Sequence, residues 1–197
     1  MECYYFANLK ILIVVIVITL LVLLSGCFTT SKVNYFTIDV NPPITKSTTE
    51  KNICLEVASV KLVEPLKRKE IMFRKSSVEI GYYSEYLWAS TLEEMLTLRF
   101  NQYFLCPDEN AIPDFYLHID LLNFEQEFLN GTSRAKISMK IEVINPDDMK
   151  VLLHRYYTET EPINSKEIVD TITALSTATS RILEEIEKDL ESLKRGT

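Results

Sequence analysis

Few side chains in this sequence stand where they could do chemistry, and the sharpest is Cys27, at the end of "LSGC" (Leu24, Ser25, Gly26, Cys27). A branched apolar residue, two small residues and a cysteine form the pattern of a bacterial lipobox. The small pair lets the backbone lie in a narrow peptidase groove, and the thiol is the one nucleophile there able to become a lipid thioether. The apolar run before it, "ILIVVIVITLLVLL" at 11–24, is shorter than the about 20 residues of a membrane-crossing helix. It fits the apolar region of a secretory signal. The spacing therefore predicts cleavage before Cys27 and lipidation of Cys27. The mature chain would be anchored to a membrane by its acyl chains without spanning it. An uncleaved signal anchor with a chance cysteine is the competing reading. Phe28 stands where an Asp would retain the protein in an inner membrane, which points to the outer membrane and the periplasm.

Other candidate chemistry is sparse. Cys3 leaves with the leader, so Cys54 and Cys106 remain, in a compartment where a disulfide would persist. Spacing alone leaves open whether they bond or stay as two buried thiols. The two histidines, His118 and His154, have no partners at HExxH or CxxC spacing, and both read as structural residues on strands. Beyond the leader the glycines are Gly81, Gly131 and Gly196, too few for the close backbone approach that phosphate loops and nucleophile elbows need. Carboxylate pairs such as Glu93/Glu94 and Asp147/Asp148 sit where adjacent side chains diverge. The reading is of a non-enzyme with no catalytic residue, no cofactor and no metal. A net charge of −7 argues against nucleic acid as a partner. One basic run, Lys67, Arg68, Lys69, Arg74 and Lys75, is either a solvated hairpin edge that discourages edge pairing or a contact for lipid headgroups or an acidic partner.

The elements that must position these residues suggest one domain. With 47% hydrophobic and 25% charged residues, the chain can build a core. Residues 1–26 read as the signal peptide, 27–34 as a lipid-anchored tether, and 35–197 as a single α+β domain. "VNYFTIDV" (33–40) alternates as a strand, and "ICLEVASVKL" (53–62) is apolar on both faces, as a central strand would be. A hairpin is expected across 75–77. The stripe Trp88, Leu92, Leu96, Phe100, Tyr103 predicts a helix over about 85–103. "FYLHIDLLNFEQEFL", "RAKISMKIEVI" and "MKVLLHRYYTETE" form an antiparallel meander with one wet face. "NSKE" (Asn164 to Glu167) opens a long final helix with the stripe Ile168, Ile172, Leu175, Ile182, Ile186, Leu190, Leu193. The expected fold is a mainly antiparallel sheet with two main helices on one face, preceded by a cleaved leader.

The order of these pieces carries a resemblance. Tyr35 in an early strand is followed by Pro65, Leu66, Arg68, Ile71 and Arg74, and then by Trp88, Ala89 and Leu92 before a helix. Over roughly 33–190 the chain resembles the ABC-type transport auxiliary lipoproteins, the PqiC-like lipoproteins of Mce-type lipid transport systems. It departs from the family pattern at Glu64-Pro65-Leu66, which shifts a Pro-x-Tyr-Leu order, and at Ser90-Thr91, which replaces a polar-Pro pair. The resemblance implies an envelope adaptor, not the ATPase, that docks a periplasmic conduit. Its partners would be Mce-domain, permease and ATPase components, with self-association into a homo-oligomer that matches a ring-shaped conduit. It also marks Tyr35, Arg68, Arg74 and Trp88 as a partner surface, although for Trp88 the favoured reading is a core anchor of the first helix, because its stripe continues into Leu92 and Leu96. The alternatives are a lipoprotein that assists assembly of an outer-membrane machine of lipopolysaccharide or secretin type, and a lipoprotein that binds a small ligand or inhibits a hydrolase.

Overall fold

One long strand organises the molecule. The computed structural model describes residues 14–16, 32–40, 53–106, 108, 111–129 and 131–196. The chain separates into two compact units, Met1–Lys32 and Val33–Thr197. Of the first unit, residues 14–16 are helical and exposed. The rest of the expected leader, and Cys27, lie outside the described residues. Among the described residues no helix is long and apolar enough to cross a membrane.

The second unit runs β1 (Asn34–Phe36), β2 (Leu55–Leu62), a 3-10 turn (Glu64–Lys67), β3 (Glu70–Arg74), β4 (Ile80–Trp88), α1 (Leu92–Tyr103), β5 (Phe115–Leu129), β6 (Thr132–Ile144), β7 (Val151–Ile163) and α2 (Ile168–Gly196). The strands make one seven-stranded sheet in the order β1-β4-β3-β5-β6-β7, with β2 also on β5. The α+β class holds, but the sheet is mixed and not mainly antiparallel. β1 pairs parallel with β4, and both β2 and β3 pair parallel with β5. A parallel pair needs a long crossover, and here the chain between β2 and β5 supplies it, α1 included. With 15 residues, β5 is long enough to hold both partners on one edge. β2 takes Phe115 to Leu121, and β3 takes Gln126 and Glu127. The 3-10 turn lies between them, where Pro65 interrupts the strand.

The C-terminal meander follows the sequence pattern closely. On β6, Ala135, Ile137, Met139, Ile141 and Val143 are all 0% exposed, while Lys136, Ser138, Lys140 and Glu142 face the other side. α2 covers the apolar face through Ile172, Leu175, Ile182, Ile186 and Leu190, so the long helix packs on its own sheet. It begins at Ile168, and Ser165 Oγ accepts from Glu167 N at 3.0 Å.

Two local expectations change. The expected central strand β2 has β5 as its hydrogen-bonded neighbour among the described residues and alternates buried with exposed positions. The first helix starts at Leu92, not near Glu85, because residues 80–88 are extended. Thr91 is its cap: Glu94 N donates to Thr91 Oγ1 at 3.2 Å, and Thr91 N donates to the Glu94 carboxylate at 3.1 Å. Thr91→Ala is expected to cost about 1 kcal/mol, read as a lowered urea midpoint. A Thr91→Ser change should restore most of the loss.

Between the helices runs an extended segment, residues 37–40. Arg99 Nε donates to Ile38 O at 2.9 Å from α1, and Asp39 N donates to Ser176 Oγ at 3.1 Å on α2. Cys54 and Cys106 are joined in a disulfide with their Cα atoms 4.5 Å apart. It ties the entry of β2 to the exit of α1. Replacing both cysteines with alanine is expected to cost about 2–4 kcal/mol. The check is a denaturation curve with and without reductant: reductant should shift the wild-type midpoint and leave the variant's unmoved.

Candidate functional site

Tyr35, Arg68, Arg74 and Trp88 occupy four different environments. Tyr35 lies on the edge strand β1, in register with Leu87 and 65% exposed. Arg68 is held at the surface. Its guanidinium reaches both carboxylate oxygens of Glu70 (2.7 and 3.3 Å) and lies 4.4 Å above the Tyr82 ring. Tyr82 in turn donates to Pro65 O at 3.1 Å. Arg74 points across the sheet, where its Nε donates to Glu125 Oε1 at 2.8 Å. That bond holds its pKa above the ordinary arginine value. Trp88 is 1% exposed and packs edge-on to Phe124 at 5.6 Å. Its position is that of a core anchor at the end of β4, in one core with Leu92 and Leu96 of α1.

The basic run is neutralised locally. Lys67 pairs with Glu64, Arg68 with Glu70, Arg74 with Glu125 and Lys75 with Glu79. Four of its five cations thus sit beside a carboxylate, which removes the field an anionic surface would feel. Of these, Lys67, Arg68 and Lys75 are exposed, while Arg74 is turned in to the buried Glu125.

The sequence reading missed a buried polar strip on β5. A register shift between Leu121 and Asn123 turns Phe124 and Gln126 to the covered face and Glu125 and Glu127 to the other. All three polar residues of this run are buried, with Glu125 at 0% exposure. Glu127 accepts from Arg134 Nε at 2.7 Å, with Lys136 at 3.8 Å. Gln126 accepts from the Tyr83 hydroxyl at 2.6 Å and donates to Ser133 Oγ at 2.7 Å. Glu125 also accepts from Asn123. Its Oε2 is the buried side-chain oxygen without a partner among the described residues.

Above Gln126 opens a groove of about 760 Å³, lined by Tyr83, Phe128, Ser133, Ile163 and Lys166 among others. Its aromatic wall continues through Phe73, whose ring lies 4.8 Å from Tyr83 and 6.2 Å from Phe128. Gly81 admits that ring, since a Cβ there would come within 2.4 Å of it. Burial raises the pKa of the Tyr83 hydroxyl, so it stays a neutral donor to Gln126.

The histidines have structural partners. His118 Nδ1 and Ser59 Oγ are 2.6 Å apart. In the same cross-strand row stand Glu142 and His154. Glu142 is paired with Lys140 at 3.2 Å, and His154 packs against Tyr156. Among the described residues no cluster of His, Cys, Asp or Glu is placed to hold a metal ion. Of the expected site residues Tyr35 and Arg68 are accessible, and the groove opens beside Gln126.

The family model described as ABC-type transport auxiliary lipoprotein component matches residues 36–187. Among solved structures, protein XCC0632 from Xanthomonas campestris, assigned to the DUF330 family model, is similar at TM-score 0.67 and 20% identity over 78% of this chain and 92% of its own. A second structure, of a protein described only as uncharacterized, is similar at TM-score 0.63 and 14% identity, over 81% of this chain and 99% of its own. At these identities the likeness is one of fold. No curated protein matches this sequence.

Proposed function

The chain belongs to the family of ABC-type transport auxiliary lipoprotein components, and on that premise we propose that it is a non-enzymatic adaptor of a Mce-type lipid transport system. It is held by acyl chains on Cys27 in the outer membrane and faces the periplasm. The observation that carries this reading is the family match, which spans the folded unit from β1 to the middle of α2. The lipobox at 24–27 supports the anchor. The polar residues of the sheet are engaged with one another, as at Arg74–Glu125 and Ser59–His118, which suits recognition by surfaces. Tyr35 and Arg68 are the accessible members of the expected partner surface.

The test is a crosslinked affinity pull-down of the lipidated protein from solubilised envelopes, read by mass spectrometry. Recovery of a Mce-domain protein with its permease and ATPase is the expected result. Recovery of an outer-membrane barrel or secretin alone would move the assignment to assembly of that machine. Recovery of the protein by itself would favour a ligand-binding lipoprotein, for which the groove above Gln126 is the place to look.

A further inference from the structure

The strand directions fix which end of the sheet the N-terminal end of β1 faces. β1 is parallel to β4, β4 is antiparallel to β3, and β3 is parallel to β5. The N-terminal end of β1 therefore points toward the end of the sheet that carries the β3–β4 turn. The C-terminal end of β5, and the corner where β7 leads into α2, lie at the same end. Chain length sets the reach. Seven peptide steps separate Cys27 from Asn34, at most about 24 Å when extended. Along β4, the distance from Tyr86, the partner of Asn34, back to Ile80 is about 20 Å. The opposite end is farther. Phe36 pairs with Trp88, which packs on Phe124, and from there to Phe115 is about 30 Å.

The near end also has the right chemistry. Val78, at the tip of the β3–β4 turn, is 91% exposed, with Ile80 at 38% and Phe128 at 37%. Lys75 stands beside them, its ammonium 5.6 Å from the Phe73 ring and 3.4 Å from the Glu79 carboxylate, and Lys166 lines the groove with Phe128. Exposed aliphatic and aromatic groups suit the boundary between headgroups and acyl chains, where lysine stems lie along apolar surface and keep their heads in water. The same end carries Tyr83 and the mouth of the groove.

We propose that this end of the sheet, led by Val78 with Ile80 and Phe128, rests in the bilayer surface that holds the acyl chains of Cys27. The protein then stands upright on the membrane. The disulfide end, with Met149 and Val151 exposed on the β6–β7 side, projects away from it. This rests on the reading of Cys27 as the lipid anchor.

The experiment uses the full lipidated chain in vesicles of phosphatidylethanolamine and phosphatidylglycerol. Val78→Cys and Met149→Cys variants each carry a polarity-sensitive nitrobenzoxadiazole label, and lipids spin-labelled high on the acyl chain act as quenchers. Both sites are exposed, so neither label disturbs the core. The expected result is a blue shift and loss of most fluorescence at position 78, with position 149 unchanged. Quenching at 149 instead of 78, or at neither site on vesicle-bound protein, overturns the proposal and leaves the anchor standing. Protein that does not bind vesicles, with an intact mass showing Cys27 unmodified, overturns the anchor reading and this proposal with it.

Discussion

Arg74→Ala is expected to lower the free energy of unfolding by about 3–5 kcal/mol, the cost of stranding a buried charge. Glu125 is wholly buried, and among the described residues its Oε2 already lacks a partner. Its other oxygen depends on Arg74 and Asn123. Without the guanidinium, a carboxylate with one neutral donor would remain inside the sheet. The burden lies on the stranded partner and not on the pair, so removing both charges should be far cheaper. Arg74→Met with Glu125→Leu is expected to come within about 1–2 kcal/mol of wild type, or above it, because well-packed apolar replacements of buried pairs are often neutral or stabilising. Urea denaturation followed by the emission of Trp88, the single tryptophan, measures both. If the single variant costs no more than an exposed ion pair, below about 1 kcal/mol, the account of Glu125 as a buried dependent charge is wrong. The result also separates Arg74 from Tyr35 and Arg68. Alanine at those two exposed positions should leave the urea midpoint close to wild type.

Trp88→Ala should be as damaging, at about 3–5 kcal/mol. Three elements meet at this side chain. It ends β4, its backbone N–H donates to Lys69 O at 2.7 Å beside β3, and it stands opposite Phe36 of β1. Its ring fills the space beside Phe124 on β5. Removing the indole leaves a cavity where the short strand β1 joins the sheet, with three residues to hold it. Trp88→Phe keeps the aromatic contact and should recover much of the loss. Since the variant removes the fluorophore, circular dichroism against urea is the measurement. A Trp88→Ala protein as stable as wild type would mean that β1 and β4 are held from elsewhere.

How much of this was readable in the sequence depends on the distance between the groups involved. The alternation of β6 and the apolar stripe of α2 are local periodicities, and both appear in the structure as read. The expected start of α1 near Glu85 fails because Trp88 stands four residues before Leu92 and so extends the helical stripe into β4. The better signal was "TLEE", a capping pattern from Thr91 to Glu94. The parallel pairing of β2 with β5 joins residues about sixty apart, and no local pattern encodes such a register. The same holds for the site. Arg74 looked like one more surface cation until the fold placed Glu125, 51 residues away, beneath it. Nothing local marks the polar run "EQE" at 125–127 as buried, because its partners Arg134, Ser133 and Tyr83 lie on other strands. The cysteines could be paired only once the fold brought Cys54 to Cys106. The family resemblance, carried by the order of short motifs, agrees with the family match over 36–187.

The sharing of one edge of β5 by β2 and β3 has a consequence for the timing of synthesis. A growing chain exposes β2 more than fifty residues before Phe115, the first residue of its partner, has been made. β3 and β4 can pair with each other at once, but β2 has to wait. The second half behaves differently, since β5, β6, β7 and α2 follow one another and each packs on its predecessor. Pairings distant in sequence carry the larger loop-closure cost and fold more slowly. The meander with α2 is thus the part able to form first, and β2 joins it late. Until then its apolar residues Leu55, Val57 and Val60 and its unpaired backbone are open to other chains, so the N-terminal half is where nascent or overproduced protein would first aggregate.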